Sequence, residues 1–141
     1  MRSPSAQVLF LGLFLLIFSL VSAAGPTEIE ADAIKGAEVF LQLIDSGQYG
    51  ASWEKTAPIF RSQVSQERWA EMLSGVRPLF GAMISRDVTA IKFTTSLPGV
   101  PDGEYVTIQF ASAFEKKAEA IETVTMTRFQ SEWQVAGYFI K

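Results

Sequence analysis

The spacing of apolar residues changes twice along the chain. Val8–Val21 (VLFLGLFLLIFSLV) is a run of fourteen residues without a charge, preceded by Arg2 and followed by Ser22-Ala23-Ala24. Beyond it the apolar positions recur every three to four residues, and after Gly81 they recur every second residue. These are the periods of helix and strand respectively. Thr27-Glu28-Ile29-Glu30 has the form of a capping box, in which Thr27 caps the helix and Glu30 reaches back to it. The stripe Ala33, Ile34, Ala37, Phe40, Leu41 and Ile44 then predicts an amphipathic helix. Lys35, Glu38, Gln42 and Asp45 lie on its polar side, and Gly47 lies just past its end. Gly36 inside this helix costs about 1 kcal/mol relative to alanine, which a close approach to the sheet would rationalise.

Tyr49–Ala57 predicts a second, short helix, and Pro58 ends it or begins the next turn. A third is predicted from Ser65, with Val64 and Trp69 placed as a hydrophobic staple. Its stripe is Trp69, Met72, Leu73 and Val76, and Pro78 is expected to close it. Strands are predicted near Arg86–Thr95, Glu104–Glu115, Ala118–Phe129 and Trp133–Ile140. In the second, Val106, Ile108 and Phe110 alternate with Tyr105, Thr107 and Gln109. Short connections at Lys116-Lys117 and Gln130-Ser131-Glu132 imply antiparallel neighbours. The expected class is α+β, with about three N-terminal helices packed on one face of a curved four-stranded antiparallel sheet.

The apolar run changes the reading of everything before Gly25. A positive residue, an apolar stretch of this length and a small-residue segment make a secretory signal peptide. The run is shorter than the roughly 20 apolar residues that cross a bilayer core. Cleavage fits before Ala24 or before Gly25, so residues 1–24 are read as leader and 25–141 as one domain of about 117 residues. The expected location is the periplasm or the medium, with no stable membrane insertion once the leader is removed. An inner-membrane anchor formed by an uncleaved leader is the alternative.

Composition removes more chemistry than it supplies. The chain has no cysteine, which excludes a lipid anchor and disulfides, and no histidine. Zinc sites of imidazole or thiolate ligands and Ser-His-Asp or Cys-His mechanisms are therefore impossible within it. Removing Arg2 from the 12 basic residues leaves 11 against 15 acidic ones, a net charge of −4. With no basic cluster, nucleic acid is excluded as a partner.

Five residues are candidates for a pocket. Glu122 and Arg128 share the parity of Val124 and Met126, so both point toward the helix side of the sheet. A carboxylate lining an apolar interior is raised toward a useful pKa range; the alternative places both residues at the ends of the sheet, in water. Arg86 can clamp an anion or pair with Asp87. Tyr49 and Trp53, with Trp69, Tyr105, Trp133 and Tyr138, can line an apolar pocket or pack as core. The other face carries Thr107, Gln109, Thr123, Thr125 and Thr127, which suits solvent or a sheet-to-sheet dimer. No catalytic constellation, metal site or cofactor site is read.

Several segments together resemble domain-of-unknown-function family 4019, a family of small exported bacterial proteins. They are Asp45-Ser46-Gly47-Gln48-Tyr49 with Trp53, Val64-Ser65 with Trp69, and Gly81 with Ser85-Arg86. Others are Thr94–Gly99, Asp102–Tyr105, Glu122–Thr125, and Trp133 with Gly137-Tyr138. The resemblance implies a nuclear transport factor 2-like, or cystatin-like, fold, a cone of helices over a curved sheet. It implies no activity, substrate or catalytic residue. The expected function is a non-enzymatic binding or accessory module of the bacterial envelope, its partner a small molecule or an envelope protein. A carboxylate-dependent isomerase, dehydratase or hydrolase is one alternative, and a structural homodimer is another.

Overall fold

The first helix is defined at both ends by its own sequence. In the computed structural model, which describes residues 25–141, the Glu30 amide donates to Thr27 Oγ1 at 3.2 Å and the Thr27 amide donates to Glu30 Oε1 at 3.0 Å. This capping box opens α1 (Glu28–Asp45). At the other end Gly47 adopts φ 76°, and the Gln48 and Gly47 amides donate to the carbonyls of Leu43 at 2.8 Å and Ile44 at 3.0 Å. That pairing is a Schellman stop, which needs a residue free to take positive φ. Ala33, Ala37, Phe40, Leu41 and Ile44 are buried along the inner face of α1. The leader reading of residues 1–24 lies outside the described residues.

The short helix expected over Tyr49–Ala57 is shorter than that, α2 (Tyr49–Trp53), and a further helix follows it, α3 (Pro58–Arg61). The break is made by the sheet. Residues 55–57 run beside the last strand, with the Ala57 amide donating to the Val135 carbonyl at 2.8 Å and the Val135 amide to the Lys55 carbonyl at 2.9 Å. Helical backbone would leave those edge groups without partners. Of the two roles open to Pro58 it takes the second and starts α3, since its fixed φ suits a first helical position.

Ser65 caps α4 (Gln66–Phe80) by accepting from the Arg68 amide at 3.1 Å. Val64 and Trp69 are buried at the staple positions. Pro78 does not close this helix; it lies inside the last turn. So near the C-terminus proline removes one hydrogen bond and little else, and two more helical residues allow Phe80 to meet Phe114 edge-on at 5.4 Å. Gly81, at φ 76°, turns the chain into the sheet.

The sheet is an open antiparallel meander in the order β1 (Met83–Thr94), β2 (Tyr105–Phe114), β3 (Lys117–Phe129) and β4 (Glu132–Ile140). Gln130 and Ser131 make the β3–β4 turn with φ 49° and 68°, the conformation a two-residue hairpin requires. Extra residues at Ile84 and Thr89 bulge β1, and a further shift lies between Thr125 and Met126 where β4 bulges. The α+β class, the helices-first order and the four antiparallel strands are as expected; among the described residues there are four helices where about three were expected.

Beneath the helices the core is aromatic at its centre. Trp69 stacks on Phe40 at 6.1 Å and meets Phe60 and Tyr138 edge-on at 5.2 and 6.3 Å. Its indole N–H donates to Ser52 Oγ at 2.9 Å, which satisfies two buried polar groups at once. On the opposite face the threonine-rich surface is not a solvent face at its middle, because Thr107 and Thr125 are buried. Among the described residues no helix is long and apolar enough to cross a membrane.

Gly36 brings α1 close against the sheet. A Cβ there would lie 2.9 Å from Met126 Cε and 3.5 Å from the Trp133 carbonyl oxygen. Gly36→Ala is expected to leave stability within about 1 kcal/mol of the parent, because the gain in helix propensity offsets a small displacement of a flexible methionine tip. Gly36→Val forces the helix off the sheet and should cost about 2–3 kcal/mol by urea unfolding.

Candidate functional site

One buried polar cluster occupies the end of the fold where the helices meet the sheet. Its members occupy apolar-parity positions. Glu122 shares a face of β3 with Val124 and Met126, Ser112 shares one of β2 with Phe110 and Phe114, and Tyr138 shares one of β4 with Ile140. Arg86 lies opposite Ser112 in the β1–β2 register. Arg77 falls four and eight residues after Leu73 and Trp69 on the buried face of α4, and Asp45 is the last residue of α1.

Glu122 is fully buried and both of its carboxylate oxygens accept hydrogen bonds. Its Oε1 accepts from Arg86 Nε at 2.8 Å and from Ser112 Oγ at 2.7 Å, and its Oε2 accepts from the Tyr138 hydroxyl. The other edge of the Arg86 guanidinium grips Asp45, with Nη1 to Oδ2 at 2.7 Å and Nη2 to Oδ1 at 3.0 Å. Arg77 Nη2 completes the chain on Asp45 Oδ1 at 2.9 Å. Two guanidinium groups thus face two carboxylates, and the cluster is neutral. Arg77 is only 5% exposed. Its Nε and Nη1 find no hydrogen-bond partner, while its Cζ lies 4.5 Å over the Phe114 ring.

Burial by itself would lower the pKa of Arg86, but its hydrogen bonds to Asp45 and the charge of Glu122 reverse this and hold the guanidinium above its usual value. Burial comes first for Tyr138 as well, followed by the charge of Glu122 and its hydrogen bond, and together they push the phenol well above its ordinary value. The arginine therefore stays charged and the tyrosine stays protonated throughout the neutral range. The charged and polar groups of the cluster are thus paired with one another.

The five sequence candidates are distributed unevenly. Glu122 and Arg86 meet. Arg86 does not pair with Asp87, because neighbours in a strand point to opposite faces, and its partners are Asp45 and Glu122. Glu122 does not sit in water at the end of the sheet. Arg128 does lie toward the other end of β3, half exposed beside Glu104 with Nε–Oε2 4.0 Å and 6.0 Å over the Trp133 ring; six residues of strand place it about 20 Å from Glu122. Trp53 is half-buried, donates from Nε1 to the Val64 carbonyl at 2.9 Å and lies under Arg61, whose Cζ is 4.8 Å from its ring. Tyr49 lines a cleft of about 300 Å³ with Asp45, Arg77, Gly47 and Gly81, at the solvent end of the cluster.

Asp45, Arg77, Ser112 and Tyr138 were not read from the sequence as partners of Glu122. The signals that could have found them are local misfits. Arg77 continues the Trp69–Leu73 spacing with a charge, and Asp45 puts an anion at a helix C-terminus, where the helix dipole disfavours it. Each misfit implies a buried partner elsewhere in the fold. Among the described residues no group of three or more acidic side chains could hold a metal ion.

Removing one partner of a buried ion pair leaves the other uncompensated. Glu122→Ala is expected to cost about 3–5 kcal/mol in urea unfolding, and Tyr138→Phe, which strips one donor from Oε2, about 1–3 kcal/mol. A separate expectation concerns alkaline pH. With its pKa raised from 10.0 in the folded state, Tyr138 stays protonated where the unfolded chain ionises, so the native state binds more protons and stability falls as pH rises above about 10. Tyr105, also raised by burial and by the charge of Asp102, contributes in the same direction. Melting temperatures followed from neutral to strongly alkaline pH should therefore decline less steeply for Tyr138→Phe than for the parent.

The comparisons with known proteins agree with the segments that first suggested the family. The family described as protein of unknown function, DUF4019, matches residues 36–138. That span runs from Gly36, where α1 meets the sheet, to Tyr138 in the cluster, and includes every cluster residue. No curated protein and no solved structure matches the chain. With far more than half of its length matched, the chain belongs to the DUF4019 family.

Proposed function

We propose that this protein is exported to the bacterial envelope and works there as a small binding or accessory module without catalysis of its own. The observation that carries the non-enzymatic part is the engagement of both oxygens of Glu122 within the chain. It is the one fully buried carboxylate among the described residues, and Arg86, Ser112 and Tyr138 already donate to both of its oxygens. A general base needs a lone pair within reach of substrate. Neither the cleft of about 300 Å³ nor an open groove of about 670 Å³ on the outer face of the sheet is lined by Glu122. The export part is supported by the charge-free run Val8–Val21 with Arg2 before it and Ser22-Ala23-Ala24 after it. A carboxylate-dependent isomerase, dehydratase or hydrolase would first have to displace a guanidinium, a hydroxyl or a phenol from Glu122, and would then leave Arg86 half-paired in the interior.

Expression of the full chain in a bacterial host tests both parts. Fractionation followed by intact-mass measurement should give a periplasmic or secreted protein beginning at Ala24 or Gly25; full-length protein in the cytosol would overturn export. Panels of esters, enones and hydroxy acids should show no turnover. Turnover that Glu122→Gln abolishes while the circular dichroism spectrum is kept would overturn the non-catalytic reading.

A further inference from the structure

The outer face of the sheet, at the end that covers the buried cluster, carries a transverse row of four residues. Asp87 on β1 is in register with Ala111 on β2, Ala111 with Ile121 on β3, and the Ile121 backbone exchanges both hydrogen bonds with Lys141 beyond β4. All four line the open groove of about 670 Å³. The row thus reads acidic, small, large apolar, basic across about 14 Å of sheet, four strands at their usual spacing. Asp87 and Lys141 have no ion-pair partner among the described residues, and Ile121 is 40% exposed.

This order is self-complementary. A two-fold axis parallel to the strands, passing between Ala111 and Ile121, reverses the row. It lays the second copy's Lys141 over Asp87, and the second copy's Ile121 over Ala111, whose small side chain leaves room for it. The contact is isologous, so every favourable pairing occurs twice. An axis perpendicular to the strands would instead oppose Asp87 to Asp87 and Lys141 to Lys141. We propose that this face is a homodimer interface, that its occupant is a second copy of the chain, and that the Asp87–Lys141 pairing sets its orientation. The surface is the hairpin end of the sheet rather than its threonine-rich middle, where Thr107 and Thr125 are already buried within one copy.

Sedimentation of the purified protein from micromolar to near-millimolar concentration is expected to show a monomer–dimer equilibrium that weakens with salt. Asp87→Lys and Lys141→Asp each oppose like charges twice, and each alone should raise the dissociation constant at least about tenfold. Both positions are exposed, so folding is preserved, and circular dichroism checks it. An equimolar mixture of the two variants restores both pairs, because Lys at 87 of one meets Asp at 141 of the other, and should form a heterodimer as tight as the parent homodimer. A parent that remains monomeric throughout, variants that dimerise like the parent, or a mixture that stays monomeric would each overturn the proposal. None of these outcomes bears on export or on catalysis.

Discussion

A single guanidinium ties the two layers of this fold to each other at their polar end. Arg86 donates along one edge to Glu122 in the sheet and along another to Asp45 at the end of α1, and Arg77 brings the last turn of α4 to the same aspartate. With Ser112 and Tyr138 added, α1, α4 and all four strands send one side chain each to a common point. Such a cluster adds little to stability when compared with a well-packed apolar substitute, because desolvation consumes most of the Coulomb gain. Its stronger effect is on alternatives. Slipping β3 by one residue against its neighbours would turn Glu122 to the outer face and bring Ile121 or Thr123 beneath the helices, leaving Arg86 buried against a single carboxylate. The native register is the one in which neither arginine and neither acid is stranded.

The elements whose causes are local were legible in the sequence. Thr27 with Glu30, Gly47, Ser65 with the Val64–Trp69 staple, and the alternation through Val106–Phe110 each act within a few residues, so pattern and structure coincide. What was not legible depended on contacts between distant segments. The helix expected over Tyr49–Ala57 was broken by Val135, some eighty residues away. Pro78 stayed helical because Arg77 and Phe80 are buried on either side of it, a tertiary gain that outweighs one missing hydrogen bond. Of the candidate site, the inward direction of Glu122 followed from strand parity, whereas its partners could not follow from parity. The sequence neighbour Asp87 looked like a mate for Arg86, but alternation places it on the other face.

The arrangement also separates two uses of a buried carboxylate. A poised acid or base has one neighbour that shifts its pKa and one face open to substrate. Glu122 has a guanidinium, a hydroxyl and a phenol, and it lines neither described cleft. The raised pKa of Tyr138 follows from burial and from that carboxylate, so the phenol stays protonated against it. The group nearest solvent is Asp45, 19% exposed beside Tyr49 at the mouth of the smaller cleft. It is held by both arginines.

Because neighbours in a strand alternate, the register that builds the inner cluster also builds the outer surface. Arg86 faces in and Asp87 out; Ser112 faces in and Ala111 out; Glu122 faces in and Ile121 out; Ile140 faces in and Lys141 out. One transverse layer of the sheet therefore carries two messages on opposite sides. Inside, charge is matched within the chain and hidden from water. Outside, Asp87 and Lys141 remain unmatched at the two ends of an apolar pair. A substitution that loosened the inner pairing enough to shift β3 would carry Ile121 away from Ala111 and scramble the outer row with it. The neutral cluster thus acts beyond the helix–sheet joint: it fixes which residues this face presents to anything that approaches.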